Sequence, residues 1–132
     1  MKGVSKMTCA IYIKIMFGEF SVKLDYDTQL AECMELAKEF NCEVLKVYLD
    51  IEPIDPYEPV IQPALQQLLE DSKTQIYDFV FISGGEVFSK NDEVSMYVSE
   101  KLTENNVAVL AVRGSLYERE TIEEWAKKSK KI

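Results

Sequence analysis

The chain of 132 residues contains no histidine and no long apolar run. Since histidine is the commonest general base, the usual partner of a catalytic serine or cysteine is absent. No stretch approaches the roughly 20 apolar residues that span a membrane, and the first residues lack the apolar core of a secretory signal. Neither GxxxxGK[ST] nor GxGxxG occurs, so Gly84-Gly85 predicts a tight turn rather than a phosphate loop. We therefore expect a cytoplasmic protein without membrane contact.

Cysteine is also scarce and shows no metal-ligand spacing. The three residues, Cys9, Cys33 and Cys42, form an odd set that predicts reduced thiols acting as small apolar side chains. We expect no cofactor and no metal. Hydrophobic residues make up 47% of the chain and charged residues 29%, as in ordinary globular proteins. The length predicts a single domain over residues 1–132.

The charge balance has the wrong sign for a protein that binds DNA by itself. The net charge is −8 and the pI about 4.6, whereas affinity for the phosphate backbone comes mainly from clustered Lys and Arg. The one basic cluster, residues 127–131, is typical of a solvated helix end, where lysines also complement the helix dipole. DNA binding is therefore expected to be weak or absent.

Apolar strand patterns alternate with helical periodicity along the chain, which indicates a parallel sheet covered by helices. We expect a three-layer α/β fold, with a mostly parallel central sheet of four or five strands and helices on both faces. The predicted strands cover residues 9–16, 43–49, 78–83 and 107–112. The predicted helices cover residues 28–40, 63–73 and 92–104, with a last helix that begins near Leu116 or Tyr117 and carries Trp125. Prolines predict an irregular loop over residues 50–59.

Several short motifs occur in an order and spacing typical of one enzyme family. They are Tyr12, Lys14 and Met16 on the first strand, Gln29 at the start of a helix, and the segments 61–65, 85–91 and 117–122. Together they resemble, over residues 9 to 122, the catalytic domain of the serine recombinases, the resolvase and invertase family. The resemblance implies a resolvase-like fold that assembles through this domain. It also implies a serine, at the end of a Tyr-x-Arg-x-Ser strand, that attacks a DNA phosphodiester.

The positions that match the family site carry other side chains here. Met16 occupies the place of the serine, and Glu86 occupies that of an aspartate. The places of four arginines are occupied by Lys14, Gln62, Val87 and Lys90. The family residues are retained at Tyr12, Gln29 and Arg119. A thioether cannot become a phosphoester nucleophile. Losing one donor to the developing charge typically costs about 100- to 1000-fold, so the family chemistry is not expected.

Other side chains offer alternative chemistry. Without a histidine base, the serines near the predicted loops are expected to be surface or capping residues; they are Ser21, Ser83 and Ser89. A group of carboxylates could gather around a divalent ion, but acidic residues are abundant and a solvated surface is the expected outcome. These are Glu19, Asp25, Asp27 and Glu86. No catalytic residue is therefore predicted.

The main hypothesis is a catalytically inactive recombinase-like domain that interacts or regulates in DNA recombination, without the family's C-terminal DNA-binding domain. Its partner would be a second copy or another protein, such as an active recombinase. Met16, Phe17, Val87 and Phe88 put apolar groups where the family has polar ones. We expect them to be partly exposed and to contact the partner. The alternatives are a small-ligand-binding or enzymatic domain that uses the crevice at the carboxyl ends of the strands, and an accessory DNA-binding protein.

Overall fold

The central sheet of the computed structural model, which describes residues 6–15, 26–51 and 62–113, has four strands. They are β1 (Met7–Ile15), β2 (Cys42–Ile51), β3 (Phe79–Ile82) and β4 (Ala108–Ala111). Their spatial order is β2-β1-β3-β4, and every pairing is parallel. The predicted parallel α/β fold is confirmed.

The sequence provides suitable N-terminal groups for two of the three helices. The helices are α1 (Tyr26–Glu39), α2 (Pro63–Ser72) and α3 (Asp92–Glu104). Proline fits the first turn of α2, because its fixed φ suits a helix and its missing N–H would have no helical partner there. The Asn91 side chain caps α3 by accepting hydrogen bonds from the N–H groups of Glu93 and Val94. No helix of the described ranges is long and apolar enough to cross a membrane.

Helices cover both faces of the sheet, as predicted. Because side chains alternate along a strand, β1 contributes to two separate cores. Cys9, Ile11 and Ile13 pack on the α1 side, whereas Ala10 and Tyr12 pack on the side of α2 and α3. β1 lies between β2 and β3, so its buried residues form a nearly continuous apolar run.

Strand β2 extends further than the sequence pattern predicted. The predicted strand ended at residue 49, and Asp50 was placed in the proline-rich loop. In the structure, Asp50 pairs with Lys14 and Ile51 pairs with Ile15. A register shift between Cys9 and Ala10 accompanies this longer ladder. The strand continues because β1 offers partners up to its own carboxyl end.

The three cysteines are free and buried, as expected for small apolar side chains. Burial raises the pKa of the Cys33 thiol to about 12. The pKa of Cys9 is also raised, first by its hydrogen bond with Cys42 and then by burial. Both thiols therefore stay protonated at neutral pH, which disfavours nucleophilic chemistry.

Some predictions concern residues outside the described ranges. These are Met16, Phe17, Glu19, Ser21, Asp25, residues 52–59 of the predicted loop over 50–59, Arg119, and the last helix with Trp125 and the basic cluster 127–131.

Candidate functional site

Three of the residues singled out in the sequence lie together at the carboxyl ends of the strands. Tyr12 lies on β1, Gln62 directly precedes α2, and Val87 lies in a 3₁₀ turn, Gly85–Val87, that follows β3. Gln62 Nε2 donates to the Tyr12 hydroxyl (2.9 Å) and to the Val87 carbonyl (3.2 Å). The Tyr12 hydroxyl in turn donates to Asp50 Oδ2 (2.8 Å). These groups satisfy one another rather than face an open site.

Asp50 is the centre of this network, and sequence analysis missed it. Its carboxylate also accepts hydrogen bonds from the N–H groups of Ala64 (2.9 Å) and Leu65 (3.0 Å), in the first turn of α2. Gln62, at the N-cap position, makes no capping bond with its side chain, so Asp50 supplies the cap from β2. The alternation of side chains along a strand could have indicated its burial. Asp50 follows Tyr48 by two residues and therefore lies on the same buried face of β2.

The Tyr12 phenol is held in its protonated form. Burial raises its pKa above the ordinary value, the Gln62 hydrogen bond partly opposes this, and Asp50 raises it further. A phenol that donates to a buried carboxylate cannot lose its proton without leaving two negative charges together. Tyr12 therefore acts here as a structural donor.

A second connection joins β1 and β3, the strands at which the order of the sheet reverses. Gln29, which is fully buried on α1, donates from Nε2 to the carbonyl oxygen of Lys14 (2.9 Å). It accepts from the Ser83 hydroxyl through Oε1 (3.2 Å). Doubly wound folds usually bind ligands at this switch point, but here the Gln29 side chain bonds the ends of both strands. Lys14 is itself buried.

Replacing Gln29 with leucine is expected to lower the free energy of unfolding by about 1–3 kcal/mol, because buried polar groups lose their partner. Urea denaturation followed by circular dichroism measures this. Gln66→Leu is the matched control, since Gln66 is exposed on α2. An equal effect in both variants would show that Gln29 does not connect the strands.

The predicted serines differ in their environments. Ser83 is buried, not on the surface as expected, because its hydroxyl is needed to satisfy Gln29. Ser89 has the expected local capping role, as its hydroxyl accepts from the Asn91 N–H (3.0 Å). Neither is hydrogen-bonded to a group that could act as a general base.

Val87 and Phe88 contradict the expectation of an exposed apolar face. Val87 is fully buried and Phe88 is 1% exposed. The reason is the 3₁₀ turn, in which the N–H groups of both residues bond back to the carbonyls of Gly84 and Gly85. The turn directs both side chains into the core on the side of α2 and α3, where the Phe88 ring lies 5.8 Å from that of Tyr12.

The remaining charged positions lie at the surface. Arg113, which sequence analysis did not single out, donates to Glu86 (2.7 Å) and Glu32 (3.3 Å) and links β4 to the 3₁₀ turn and α1. These side chains are about one-third to two-fifths exposed, so the pairs contribute little stability. Lys90 is exposed. The described ranges contain no cluster of three or more His, Cys, Asp or Glu side chains able to hold a metal.

Several solved structures have a similar fold. The N-terminal catalytic domain of TP901-1 integrase matches with a TM-score of 0.67 and 16% identity, over 93% of this chain and 94% of that one. A resolvase family site-specific recombinase from Streptococcus pneumoniae matches with a TM-score of 0.66 and 14% identity, over 95% and 87%. The C-terminal catalytic domain of ISC1926 TnpA, an IS607-like serine recombinase, matches with a TM-score of 0.62 and 16% identity, over 93% and 78%.

These similarities establish the fold class. The chain has the α/β fold of serine recombinase catalytic domains, which confirms at the level of the fold the resemblance seen in its motifs. No protein-family profile and no curated protein sequence matches the chain.

Proposed function

We propose that this protein is a catalytically inactive serine-recombinase-like domain that acts through protein contacts in a process linked to DNA recombination. The proposal rests on the burial and mutual hydrogen bonding of residues at the positions that correspond to the family site. Tyr12 and Val87 are buried, and Gln62 bonds both of them. A phosphate would have to break these bonds to reach this part of the fold.

The chemistry of the matching positions supports inactivity. Phosphoryl transfer needs an activated nucleophile and donors aimed at the charge that develops on the phosphate. Met16 supplies no nucleophile, and Gln62 and Val87 carry no positive charge. Lys14 stands in place of an arginine and is 2% exposed, and a lysine side chain lacks the forked geometry with which arginine grips phosphate.

The charge of the chain favours a protein partner over DNA. A net charge of −8 repels the phosphate backbone, and the only arginine of the described ranges, Arg113, is already paired with Glu86 and Glu32. We therefore expect DNA binding to be weak or absent.

The outer edge of β2 is a suitable contact surface. β2 is the terminal strand of the sheet, so its outer N–H and C=O groups have no strand partner within the described ranges. Leu45, Leu49 and Ile51 are exposed on this strand. Long edge strands with exposed apolar side chains tend to pair with another chain. We propose that a second copy of this protein, or another protein, binds there.

Sedimentation velocity over a range of concentrations tests this proposal. We expect the wild type to self-associate and Ile51→Lys to associate about tenfold more weakly, because a desolvated charge opposes the contact. Ile76→Lys is the matched control, since Ile76 is 48% exposed, as against 57% for Ile51, and lies in the connection between α2 and β3 rather than on β2. A monomeric wild type, or equal weakening by both substitutions, would contradict self-association through β2.

A further inference from the structure

Four apolar residues occupy alternate positions on the terminal strand β2; they are Leu45, Val47, Leu49 and Ile51. Val47 is partly buried against the core on the α1 side, and the other three are exposed. Residues two apart on a strand share a face, so Leu49 and Ile51 lie on the same face as Val47. An apolar row is therefore left uncovered along this edge of the sheet.

Met34 extends the apolar surface onto α1. Glu32 accepts a hydrogen bond from Arg113 (3.3 Å), which follows β4, so this side of α1 faces β4. A helix turns by about 100° per residue, so Met34, two residues further on, lies on the opposite side of α1. β2 and β4 are the two terminal strands, and the exposed Met34 therefore lies on the β2 side. A surface formed by a strand and a helix suits a folded partner better than a short extended peptide.

The charges of β2 favour a second copy of the chain as that partner. The whole chain carries a net charge of −8, but the segment 45–51 contains one base, Lys46, and one acid, Asp50. Two copies repel each other in general and can meet at a locally neutral segment. Lys46 and Asp50 lie two residues before and two residues after Tyr48. If two β2 strands pair antiparallel around Tyr48, Lys46 of each copy is opposite Asp50 of the other, and opposite charges stabilise such a pair.

The apolar residues have the same symmetry. Around Tyr48, Val47 of one copy is opposite Leu49 of the other, and Leu45 is opposite Ile51. Apolar pairs directly across two strands stabilise a sheet. The pairing would end at Leu45, which the ladder between β2 and β1 skips. This one register pairs every residue of the apolar row with another residue of the row.

The neighbouring registers are less favourable. A ladder centred on Val47 places Ile51 opposite Glu43, an apolar residue against a charge. A ladder centred on Leu49 leaves Leu45 opposite residue 53, beyond the end of β2. A shift by a single residue places the apolar row on the wrong face of the partner strand.

We propose that two copies of this protein pair through β2, antiparallel and around a two-fold axis at Tyr48. The pairing joins the four strands of each copy into one continuous sheet. It satisfies the outer N–H and C=O groups of both terminal strands, and the same surface serves both copies. The axis is perpendicular to the sheet, so α1 of both copies lies on one face and Met34 flanks the contact. This inference rests on the contact surface at β2 proposed above and specifies its partner and geometry.

Oxidative cross-linking of cysteine variants tests the register. Val47→Cys and Leu49→Cys are prepared separately, mixed in equal amounts and treated with oxidised glutathione. We expect a covalent dimer on non-reducing gels for the mixture only. The two positions face each other in the proposed register, whereas each lies more than about 7 Å from the same position of the other copy, too far for a disulfide. Leu45→Cys mixed with Ile51→Cys tests the same axis at two exposed positions.

Two controls define the background. The wild type, whose three described cysteines are buried, should form no covalent dimer. Leu49→Cys mixed with Ile76→Cys should form none either, because Ile76 is exposed on the connection between α2 and β3. Circular dichroism of each variant shows that it is folded.

The outcomes separate this inference from the proposed contact. A covalent dimer formed by Val47→Cys alone or by Leu49→Cys alone would place the axis elsewhere and overturn the register. Absence of a covalent dimer in both mixtures would overturn the pairing of the strands. If the wild type nevertheless sediments as a dimer that Ile51→Lys weakens, the contact at β2 remains supported and only its geometry is wrong. A monomeric wild type would contradict both.

Discussion

Replacing Asp50 with alanine is expected to lower the free energy of unfolding by about 2–4 kcal/mol. Loss of a helix cap costs about 1 kcal/mol, and a buried donor left without its acceptor costs about 1–3 kcal/mol more. Asp50 provides both functions, because it accepts from the Tyr12 hydroxyl and from two N–H groups of α2. Equilibrium denaturation in urea, followed by circular dichroism, measures the loss.

Two further variants show whether the network is the cause. Asp50→Asn keeps one acceptor oxygen, so its effect should lie between those of alanine and the wild type. Glu43→Gln changes an exposed acid on the same strand and should alter stability by no more than about 0.5 kcal/mol. If Asp50→Ala were as mild as Glu43→Gln, Asp50 would not hold β1, β2 and α2 together.

Replacing Phe88 with alanine is expected to destabilise the domain by about 3–5 kcal/mol, the usual cost of deleting a buried phenylalanine. Phe88 packs in the same core as Tyr12, Leu65 and Val98. Since domains of this size are stable by only about 5–15 kcal/mol in total, the variant should unfold at a much lower urea concentration.

Tyr97→Ala is the matched control for Phe88. Tyr97 is an aromatic residue that is 56% exposed on α3, so its removal should change stability by no more than about 0.5 kcal/mol. Sedimentation velocity of both variants under native conditions measures their self-association. It shows whether Phe88 acts in the core or in an interface. Weaker association of a fully stable Phe88→Ala variant would restore the interface role first expected from the sequence.

The sequence pattern was most informative where burial follows the period of a regular element. The predicted helix over residues 92–104 agrees with α3, and the four predicted strands correspond to β1–β4 with shifts at their ends. The shifts arise because a strand ends where its neighbour stops offering partners, which periodicity does not encode. This is why β2 reaches Ile51 rather than residue 49.

The candidate site was only partly predictable. Motif spacing selected Tyr12, Gln62 and Val87, and the fold brings them within hydrogen-bond reach of one another. Motif spacing did not reveal Asp50 or Arg113, whose hydrogen-bond partners are distant in sequence. The burial of Phe88 depends on a 3₁₀ turn of three residues, too short to produce a periodic signal.

The fold itself does not decide between activity and inactivity, since one fold supports many functions. The difference lies in side chains at the carboxyl ends of the strands. A bonded tyrosine, a neutral glutamine and a buried valine occupy this part of the chain, and none of them can neutralise a phosphate. Whether the protein is active therefore depends on the chemistry of these side chains.

The most direct test is a search for a covalent protein–DNA adduct by denaturing electrophoresis. Wild type and Met16→Ser would each be incubated with duplex fragments from the genomic neighbourhood of the gene, beside an active serine recombinase on its own site. We predict no adduct for either protein, because serine alone does not restore the missing donors. A wild-type adduct that maps to Ser21 or Ser89 would contradict the account, and an adduct formed by Met16→Ser would show that the remaining residues suffice for catalysis.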